Sequence, residues 1–222
     1  MDRSGRGCLI VALVPAPIRL VLASASPARR ALLRQAGIEP TICVSTVDEA
    51  ALEANAPADL CPGEVALLLA RAKAEDAAEQ LDGDHIVLGC DSVLELAGKV
   101  YGKPRDAAEA VQRWQRMRSR SGVLHTGHWI IDDRSDGSAG TLGASAETIV
   151  HFADLSDAEI EDYVATGEPL RVAGAFTIDG LGAPYISRIE GDHTNVVGLS
   201  LPLLRELLLE IGVSWRDLTT SG

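Results

Sequence analysis

The chain has 222 residues, of which 46% are apolar and 23% are charged, and its formal net charge is −12. This length can bury a sizeable core, either as one large domain or as two closely packed lobes. The acidic balance argues against a nucleic-acid-binding surface, which would show a basic stripe. No segment reaches the roughly 18 apolar residues of a membrane span, so no membrane partner is expected.

The four cysteines are Cys8, Cys43, Cys61 and Cys90, and none of them forms a CxxC pair. This spacing argues against a zinc site and against a disulfide framework. It favours buried free thiols in a reducing compartment, and we therefore predict a cytoplasmic protein.

The first residues resemble a secretion signal only in part. Two arginines precede the apolar run Cys8–Val14, but Pro15 and Pro17 interrupt the stretch that follows. We therefore expect residues 1–17 to be a variable extension or a misassigned start, ahead of a single domain over residues 18–222.

The first predicted elements are a short apolar strand, Ile18–Ala23, and a helix over Pro27–Ala36. Ser26 is suited to cap this helix, and a proline is favourable at the first helical position. Arg29 and Arg30 have the wrong sign for a helix N-terminus, where the macrodipole already favours anions. The segment is therefore typical of a site that holds phosphate or carboxylate.

The next predicted elements are a strand over Thr41–Val47, an alanine-rich loop and a helix over Glu64–Leu81. The strand ends in the acidic pair Asp48–Glu49. Lys73 lies near the buried face of the helix. Its side chain could extend outward past apolar neighbours, which is the commoner case, or point into a cleft towards an anion.

Ile86–Cys90 is a continuous apolar run that predicts a strand buried on both faces. Asp91 follows it, at the position where α/β sheets usually place ligands and catalytic groups. Position alone equally allows an aspartate that caps the following turn. Val93–Leu96 and Lys99–Tyr101 are predicted to pair as a hairpin.

Asp48 and Glu49 could converge on Asp91. Carboxylates that meet beside phosphate-binding cations would hold Mg²⁺ or Mn²⁺, because hard cations prefer oxygen ligands. The residues alone favour the alternative, in which the acidic pair is a solvated turn.

Lys103 lies between Gly102 and Pro104, on a backbone of restricted shape that fixes the direction of its ammonium group. A Gly-Lys-Pro sequence is often only a turn. A helix follows, with Asp106 as its cap and an apolar face that ends at Met117.

The second half of the chain continues the alternation of strands and helices, with a mobile loop predicted over residues 132–146. Its predicted elements are the strands Val123–Ile131, Glu147–Ala153, Ala173–Ile178 and Tyr185–Ile189 and the helices Ser156–Thr166 and Leu201–Ile211. Two strand pairs lack an intervening helix, which favours a mixed α/β sheet over a doubly wound parallel sheet.

The histidines do not predict a metal site. His125 and His128 are three residues apart, so on a strand they face opposite sides. His85, His151 and His193 are isolated, and surface positions are expected for them. A nucleophile elbow, a Walker A loop and an H-E-x-x-H motif are all missing from the sequence.

Six blocks of the sequence, taken in this order, resemble the Maf (septum-formation-inhibitor-like) nucleoside triphosphate pyrophosphatases. The blocks are LASASPARRALLRQAGI (22–38), VSTVDEA (44–50), ARAKAEDA (70–77), GCDSVLELAGKVYGKP (89–104), SGVLHTG (121–127) and the segment 163–204. Each block alone is weakly specific, but six in the family's order are strongly so.

The resemblance implies hydrolysis of a nucleoside triphosphate to the monophosphate and pyrophosphate, with a divalent cation such as Mg²⁺, Mn²⁺ or Co²⁺. It implies a mixed, strongly twisted α/β sheet with two lobes and a central cleft, inosine-triphosphatase-like, and a homodimer. Asp91 matches the family's proton acceptor, and with Asp48 and Glu49 it would hold the metal. The residues implied to bind phosphate are Ser24, Ser26, Arg29, Lys73 and Lys103.

Three positions depart from the commonest patterns of the family and are implied to set base preference. Ala28 replaces an arginine, Ser92 replaces a threonine, and Asp179 replaces a glutamine. An ionised aspartate offers only acceptors. It would favour a base that presents N–H groups, such as guanine or cytosine.

Two other functions are compatible with the resemblance. The chain could regulate septum formation in cell division through protein contacts, with little catalysis. It could also sense nucleotides without turning them over. The complete set of charged residues favours an enzyme, because a pure binding module would not need it.

Overall fold

The computed structural model describes residues 18–219, and the predicted extension 1–17 lies outside them. The chain forms one mixed sheet of seven strands flanked by helices, which confirms the predicted fold class. The strands are β1 (Leu20–Ala23), β2 (Thr41–Ile42), β3 (Ile86–Leu96), β4 (Lys99–Tyr101), β5 (Ser121–Asp132), β6 (Thr141–Phe152) and β7 (Ile186–Glu190). The helices are α1 (Pro27–Gln35), α2 (Glu49–Asn55), α3 (Pro62–Glu79), α4 (Ala107–Met117), α5 (Asp157–Ala165), α6 (His193–Val197), α7 (Leu201–Glu210) and α8 (Trp215–Leu218).

The sheet order is β2-β1-β3-β5-β6-β7, with β4 as an additional partner of β3. β1 pairs in parallel with β2 and β3, and the remaining pairs are antiparallel. Both β1 and β4 lie on the same edge of β3. The β1 pairing ends at Gly89 and the β4 pairing begins at Leu94, so residues 90–93 face no strand on that edge.

Two large buried cores lie on either side of this interruption, and a third, smaller cluster packs Val21 and Val87 against α3. The first half of β3 packs with β1, α1 and α7 around Leu22, Leu33 and Leu204. The second half packs with α4 and α5 around the indole of Trp114, which meets the rings of Phe152 and Tyr163 edge to face. The two lobes predicted from the sequence correspond to these cores, and the gap along β3 lies between them.

Helix α3 packs very close to the sheet, because small residues of the helix face small residues of the strands. A Cβ atom at Gly89 would overlap the carbonyl oxygen of Ala70, and a Cβ at Gly127 would overlap the backbone of Ala66. Ala74 is fully buried against the same surface. The alanines of α3 and the glycines of β3 and β5 therefore bring the helix axis close to the sheet.

Several predicted elements form as expected. Ser26 accepts the backbone N–H of Arg29 at the start of α1, and Gly37 ends that helix with a φ of 86°. The hairpin of β3 and β4 forms around Ala97–Gly98. Capping by Asp106 and by the Ser156–Glu159 pair is also confirmed.

Other predictions were wrong. The second strand ends at Ile42 instead of Val47, and the alanine-rich segment after Asp48 is helix α2 instead of a loop. The segment 173–178 is not a strand, because Ala173–Ala175 form a short 3₁₀ turn in which Gly174 adopts a φ of 70°. His85 is fully buried, not exposed.

The predicted loop 132–146 is shorter than expected, since β5 includes Asp132 and β6 begins at Thr141. The buried carboxylate of Asp132 organises the loop between them. It accepts hydrogen bonds from the Arg134 guanidinium and from the backbone and hydroxyl of Ser138. No helix within residues 18–219 is both long and apolar enough to cross a bilayer.

Candidate active site

Lys73 lies at the centre of a buried charge cluster. Its ammonium nitrogen Nζ is 2.5 Å from Asp91 Oδ1 and 3.0 Å from Glu49 Oε1. The Lys73 side chain is only 9% exposed, and that of Asp91 is 12% exposed. Of the two orientations left open by the sequence, the structure therefore has the lysine pointing inward to an acidic cleft.

The packing of α3 explains this contact. Gly89 and Asp91 are two residues apart on β3, so their side-chain positions lie on the same face of the sheet. Gly89 draws the helix close through Ala70 and Ala74, and Lys73 is on the same side of the helix. Asp91 lies in the middle of β3, not at its end as predicted, because the strand continues to Leu96.

The carboxylate of Glu49 is held in its ionised form. Burial alone would raise the pKa of Glu49, but the positive charges of Lys73 and Lys103 lower it below its ordinary value. Asp91 has one oxygen committed to Lys73, and its second oxygen Oδ2 has no hydrogen-bond partner among residues 18–219. That oxygen is available to accept a proton from water or a substrate group.

Glu53 belongs to the same cleft, although the sequence analysis did not select it. Burial raises the pKa of Glu53, and the negative charges of Asp91 and Glu49 raise it further. It lies four residues after Glu49 on α2, one helical turn along the same face. Glu53 was missed because its segment was interpreted as a loop. Asp48 followed by alanines is typical of a helix start and would have predicted α2.

Lys103 is exposed and lies two residues after the end of β4. Its charge lowers the pKa of Glu49 and opposes the upward shift at Glu53. The structure therefore brings Lys103, Lys73, Glu49 and Asp91 to one cleft, whereas the residues alone favoured a solvated turn for the acidic pair.

The Ser-x-Ser-Pro-Ala-Arg segment borders this cleft, but Arg29 is used differently from the prediction. The Arg29 side chain is buried and donates from Nε to Gly198 O at 2.6 Å and from Nη1 to Cys90 O at 2.7 Å. It also donates to the hydroxyls of Ser24 and Ser92. Most of its donors are thus committed within the protein, so Arg29 braces β3 instead of lying open to a phosphate.

The two serines of this segment keep donors of their own. Ser24 Oγ accepts from Ser26 N and from Arg29, and Ser26 Oγ accepts from Arg29 N. Neither hydroxyl donates to an acceptor within the part of the chain that the structure describes. Both remain suited to donate to an anion at the N-terminus of α1.

The Ser92 hydroxyl is oriented by a chain of hydrogen bonds. Thr126 Oγ1 donates its only proton to Asn195 O, so the 2.9 Å contact between the two hydroxyls requires Ser92 to donate. Ser92 also accepts from Arg29. It can therefore offer only an acceptor to any ligand.

The family model described as "Maf-like protein" matches residues 19–211. The chain belongs to the Maf-like protein family. Every residue selected from the sequence as a site residue lies inside the matched range. The Maf resemblance drawn from six separate blocks is confirmed.

Curated relatives extend over nearly the whole Maf-like chain. A protein of Salinispora tropica named nucleoside triphosphate pyrophosphatase is 55% identical over 210 residues, covering 93% of this chain and 89% of its own. A protein of Streptomyces coelicolor with the same name is 53% identical, covering 90% and 94%. Among solved structures, a HAM1 protein from Coxiella burnetii covers 87% of this chain and 99% of its own, with 18% identity and a TM-score of 0.43.

The carboxylates of this cleft could hold a divalent cation only together with phosphate oxygens of a bound substrate. Within residues 18–219 there is no group of three or more His, Cys, Asp or Glu side chains that could hold a metal. Asp48, predicted as a ligand, is exposed and caps α2 by accepting from Ala51 N. Glu49 and Asp91 are the other two predicted ligands, and Mg²⁺ is commonly bound by one or two carboxylates together with substrate phosphates.

The three positions implied to set base preference are not joined into one site by contacts. Ser92 is connected to α1 through Arg29. Ala28 is half-buried on α1, and Asp179 is exposed in the loop before β7. That loop is organised by Glu168, whose carboxylate accepts from the Thr177 hydroxyl and the Gly182 backbone.

Proposed function

We propose that this chain hydrolyses nucleoside triphosphates to the nucleoside monophosphate and pyrophosphate, with the help of a divalent cation. The observation that carries the proposal is the Lys73 ammonium between the carboxylates of Asp91 and Glu49, with Lys103 beside them. The relatives named nucleoside triphosphate pyrophosphatase, at 53% and 55% identity over about nine-tenths of the chain, support the same activity.

The reaction breaks the anhydride bond between the α- and β-phosphates. A water molecule supplies the oxygen that attacks phosphorus. Attack at the α-phosphorus expels pyrophosphate with the bridging oxygen, whereas attack at the β-phosphorus expels the monophosphate with the bridging oxygen and places the water oxygen in pyrophosphate. Asp91 Oδ2 accepts the proton of this water, while Lys73 holds the other oxygen of the carboxylate and fixes its orientation. The cleft thus provides a base at a defined position.

Positive charge is needed wherever the triphosphate and the leaving pyrophosphate carry negative charge. Lys103, exposed at the rim, is free to pair with phosphate oxygens. Ser24 and Ser26 would donate hydrogen bonds at the start of α1. A divalent cation held by Glu49 and Asp91 would neutralise further charge on the phosphate oxygens.

Product analysis tests the proposal. Phosphorus NMR of a reaction with a nucleoside triphosphate and Mg²⁺, Mn²⁺ or Co²⁺ should show monophosphate and pyrophosphate appearing together. Stepwise release of inorganic phosphate would contradict the proposal, and so would binding without turnover under all three metals. A panel of standard and modified bases, run in the same way, tests whether non-standard nucleotides are the preferred substrates and whether bases with N–H groups are favoured.

The homodimer and the cytoplasmic location belong to the same proposal. Sedimentation of the purified chain tests the first, and fractionation of the native cells tests the second. A role in septum formation by binding alone would require that a catalytically inactive variant keep a cell-division phenotype.

A further inference from the structure

Arg113, on α4, is a buried arginine outside the acidic cleft. Its side chain is only 3% exposed, and its Nη1 donates to the carbonyl oxygen of Gly102 at 2.5 Å. Its Nη2 donates to Glu109 Oε1 at 2.9 Å, and the guanidinium lies 4.9 Å from the ring centre of Tyr101. Burial of a guanidinium is costly unless its donors are used, so this position calls for a specific reason.

The contact at Gly102 provides that reason. Gly102 directly precedes Lys103, and its carbonyl also accepts the backbone N–H of Gly174 at 3.0 Å. A Cβ at Gly102 would lie 3.6 Å from Glu53 Oε1, so this point of the backbone borders the acidic cleft. The backbone from which Lys103 extends is therefore held by two donors from different elements.

We propose that Arg113 is a positioning residue for Lys103. It clamps the Gly102 carbonyl and the Tyr101 ring, and thereby fixes the place from which the Lys103 ammonium reaches the triphosphate. The planar fork of arginine holds a carbonyl and a carboxylate at once, which the point charge of a lysine does not do. The proposal rests on the proposed function, because Lys103 matters for turnover only if the cleft binds a triphosphate.

The same helix offers a matched control. Arg118, at the end of α4, also donates to a backbone carbonyl, Leu155 O at 3.0 Å, and to a carboxylate, Asp157 Oδ1 at 2.7 Å. These contacts tie α4 to α5 instead of to the hairpin that carries Lys103. Arg118→Met removes a second arginine of similar contacts, one third exposed, without touching the Gly102 carbonyl.

A double-mutant cycle between Arg113 and Lys103 tests the proposal. Arg113→Met should lower kcat/KM by about 10- to 100-fold, since small displacements of a catalytic group have effects of this size. In a Lys103→Ala background the same substitution should change kcat/KM by less than about twofold. Arg118→Met should leave kcat/KM unchanged both in the wild type and in the Lys103→Ala variant. If the effects of Arg113→Met and Lys103→Ala instead multiply, Arg113 does not act through Lys103 and the proposal is overturned.

A second measurement is independent of turnover. Backbone ¹⁵N relaxation at Gly102 and Lys103 should show a lower order parameter in Arg113→Met than in the wild type or in Arg118→Met. Unchanged order parameters would contradict the positioning role. If the wild type releases no pyrophosphate, the proposed function fails, and this measurement alone decides whether Arg113 fixes Lys103.

Discussion

Lys73 Nζ lies 2.5 Å from Asp91 Oδ1, across the interface between α3 and the middle of β3. The same ammonium group contacts Glu49 at 3.0 Å. One buried cation therefore contacts two carboxylates at short range, beside a stretch of β3 that has no strand neighbour on one edge. This arrangement is the basis of the predictions that follow.

Replacement of Lys73 by methionine should abolish most activity. The two carboxylates would lose their shared cation, and Asp91 would lose the group that orients it, so kcat should fall by about 100-fold or more. The free energy of unfolding should decrease by about 2 kcal/mol, less than for a fully buried pair because Glu49 is partly exposed. Arg71→Met, two residues earlier on the exposed side of α3, should shift unfolding by less than about 0.5 kcal/mol. Equal effects of the two variants in urea denaturation and kinetics would refute the central role of Lys73.

Gly89→Ala should damage stability and activity together. A Cβ at Gly89 overlaps the carbonyl oxygen of Ala70, so α3 must move away from β3 and carry Lys73 with it. We expect a loss of about 1–3 kcal/mol in the free energy of unfolding and a lower kcat. Gly63→Ala, on the same helix, meets only ordinary contacts and should be neutral or slightly stabilising. An active Gly89→Ala variant of unchanged thermal midpoint would show that the close approach does not matter.

Stability should decrease on acidification through His128. Its ring accepts from Ser200 N and contacts Thr126 O, and burial lowers its pKa from 6.5 to about 4. Between these pH values the unfolded imidazole binds a proton and the folded one does not. The free energy of unfolding should therefore fall by up to about 3 kcal/mol as pH drops through this window. Below about pH 4 this contribution stays constant.

The fall of the unfolding free energy with decreasing pH should come mainly from His128. In His128→Gln most of this dependence should disappear, whereas His151→Gln, at a half-buried position, should keep it. Urea denaturation at several pH values measures both. A His128→Gln variant that retains the wild-type slope would assign the effect to other groups.

Metal affinity should depend on the substrate. Because the described residues contain no group of three or more His, Cys, Asp or Glu side chains that could hold a metal, Mn²⁺ should bind weakly to the protein alone. A non-hydrolysable triphosphate should tighten Mn²⁺ binding by at least about tenfold, and EPR titration measures the difference. Chelation by EDTA should abolish turnover without lowering the thermal midpoint. Tight binding of Mn²⁺ without nucleotide would indicate a site that this donor set does not explain.

The sequence predicted the elements whose signals are local. The cap at Ser26, the hairpin around Ala97–Gly98 and the Ser156–Glu159 box depend on a few adjacent residues, and all three form. The end of β3 could not be placed in the same way. Asp91 interrupts an apolar run, but the strand continues because β5 pairs with it as far as Glu95.

The sequence predicted which residues form the candidate site better than it predicted what each residue does there. Lys73, Asp91, Glu49 and Lys103 do meet in one cleft. The commitment of Arg29 to Gly198 and Cys90 depends on partners 61 or more residues away, which no local pattern reveals. Arg113 was also missed, because its importance lies in its contact with a carbonyl eleven residues earlier, in the turn between β4 and α4.

The most direct test is the release of pyrophosphate by the wild type and by Asp91→Asn, measured for a panel of nucleoside triphosphates with Mg²⁺, Mn²⁺ and Co²⁺. Asparagine preserves the shape of the side chain but cannot accept the proton of the attacking water. We predict pyrophosphate release by the wild type with at least one metal, and a loss of about 100-fold or more in Asp91→Asn at a temperature where both proteins are fully folded. A wild type that is inactive with all three metals, or an Asp91→Asn variant as active as the wild type, would contradict the proposed function of this cleft.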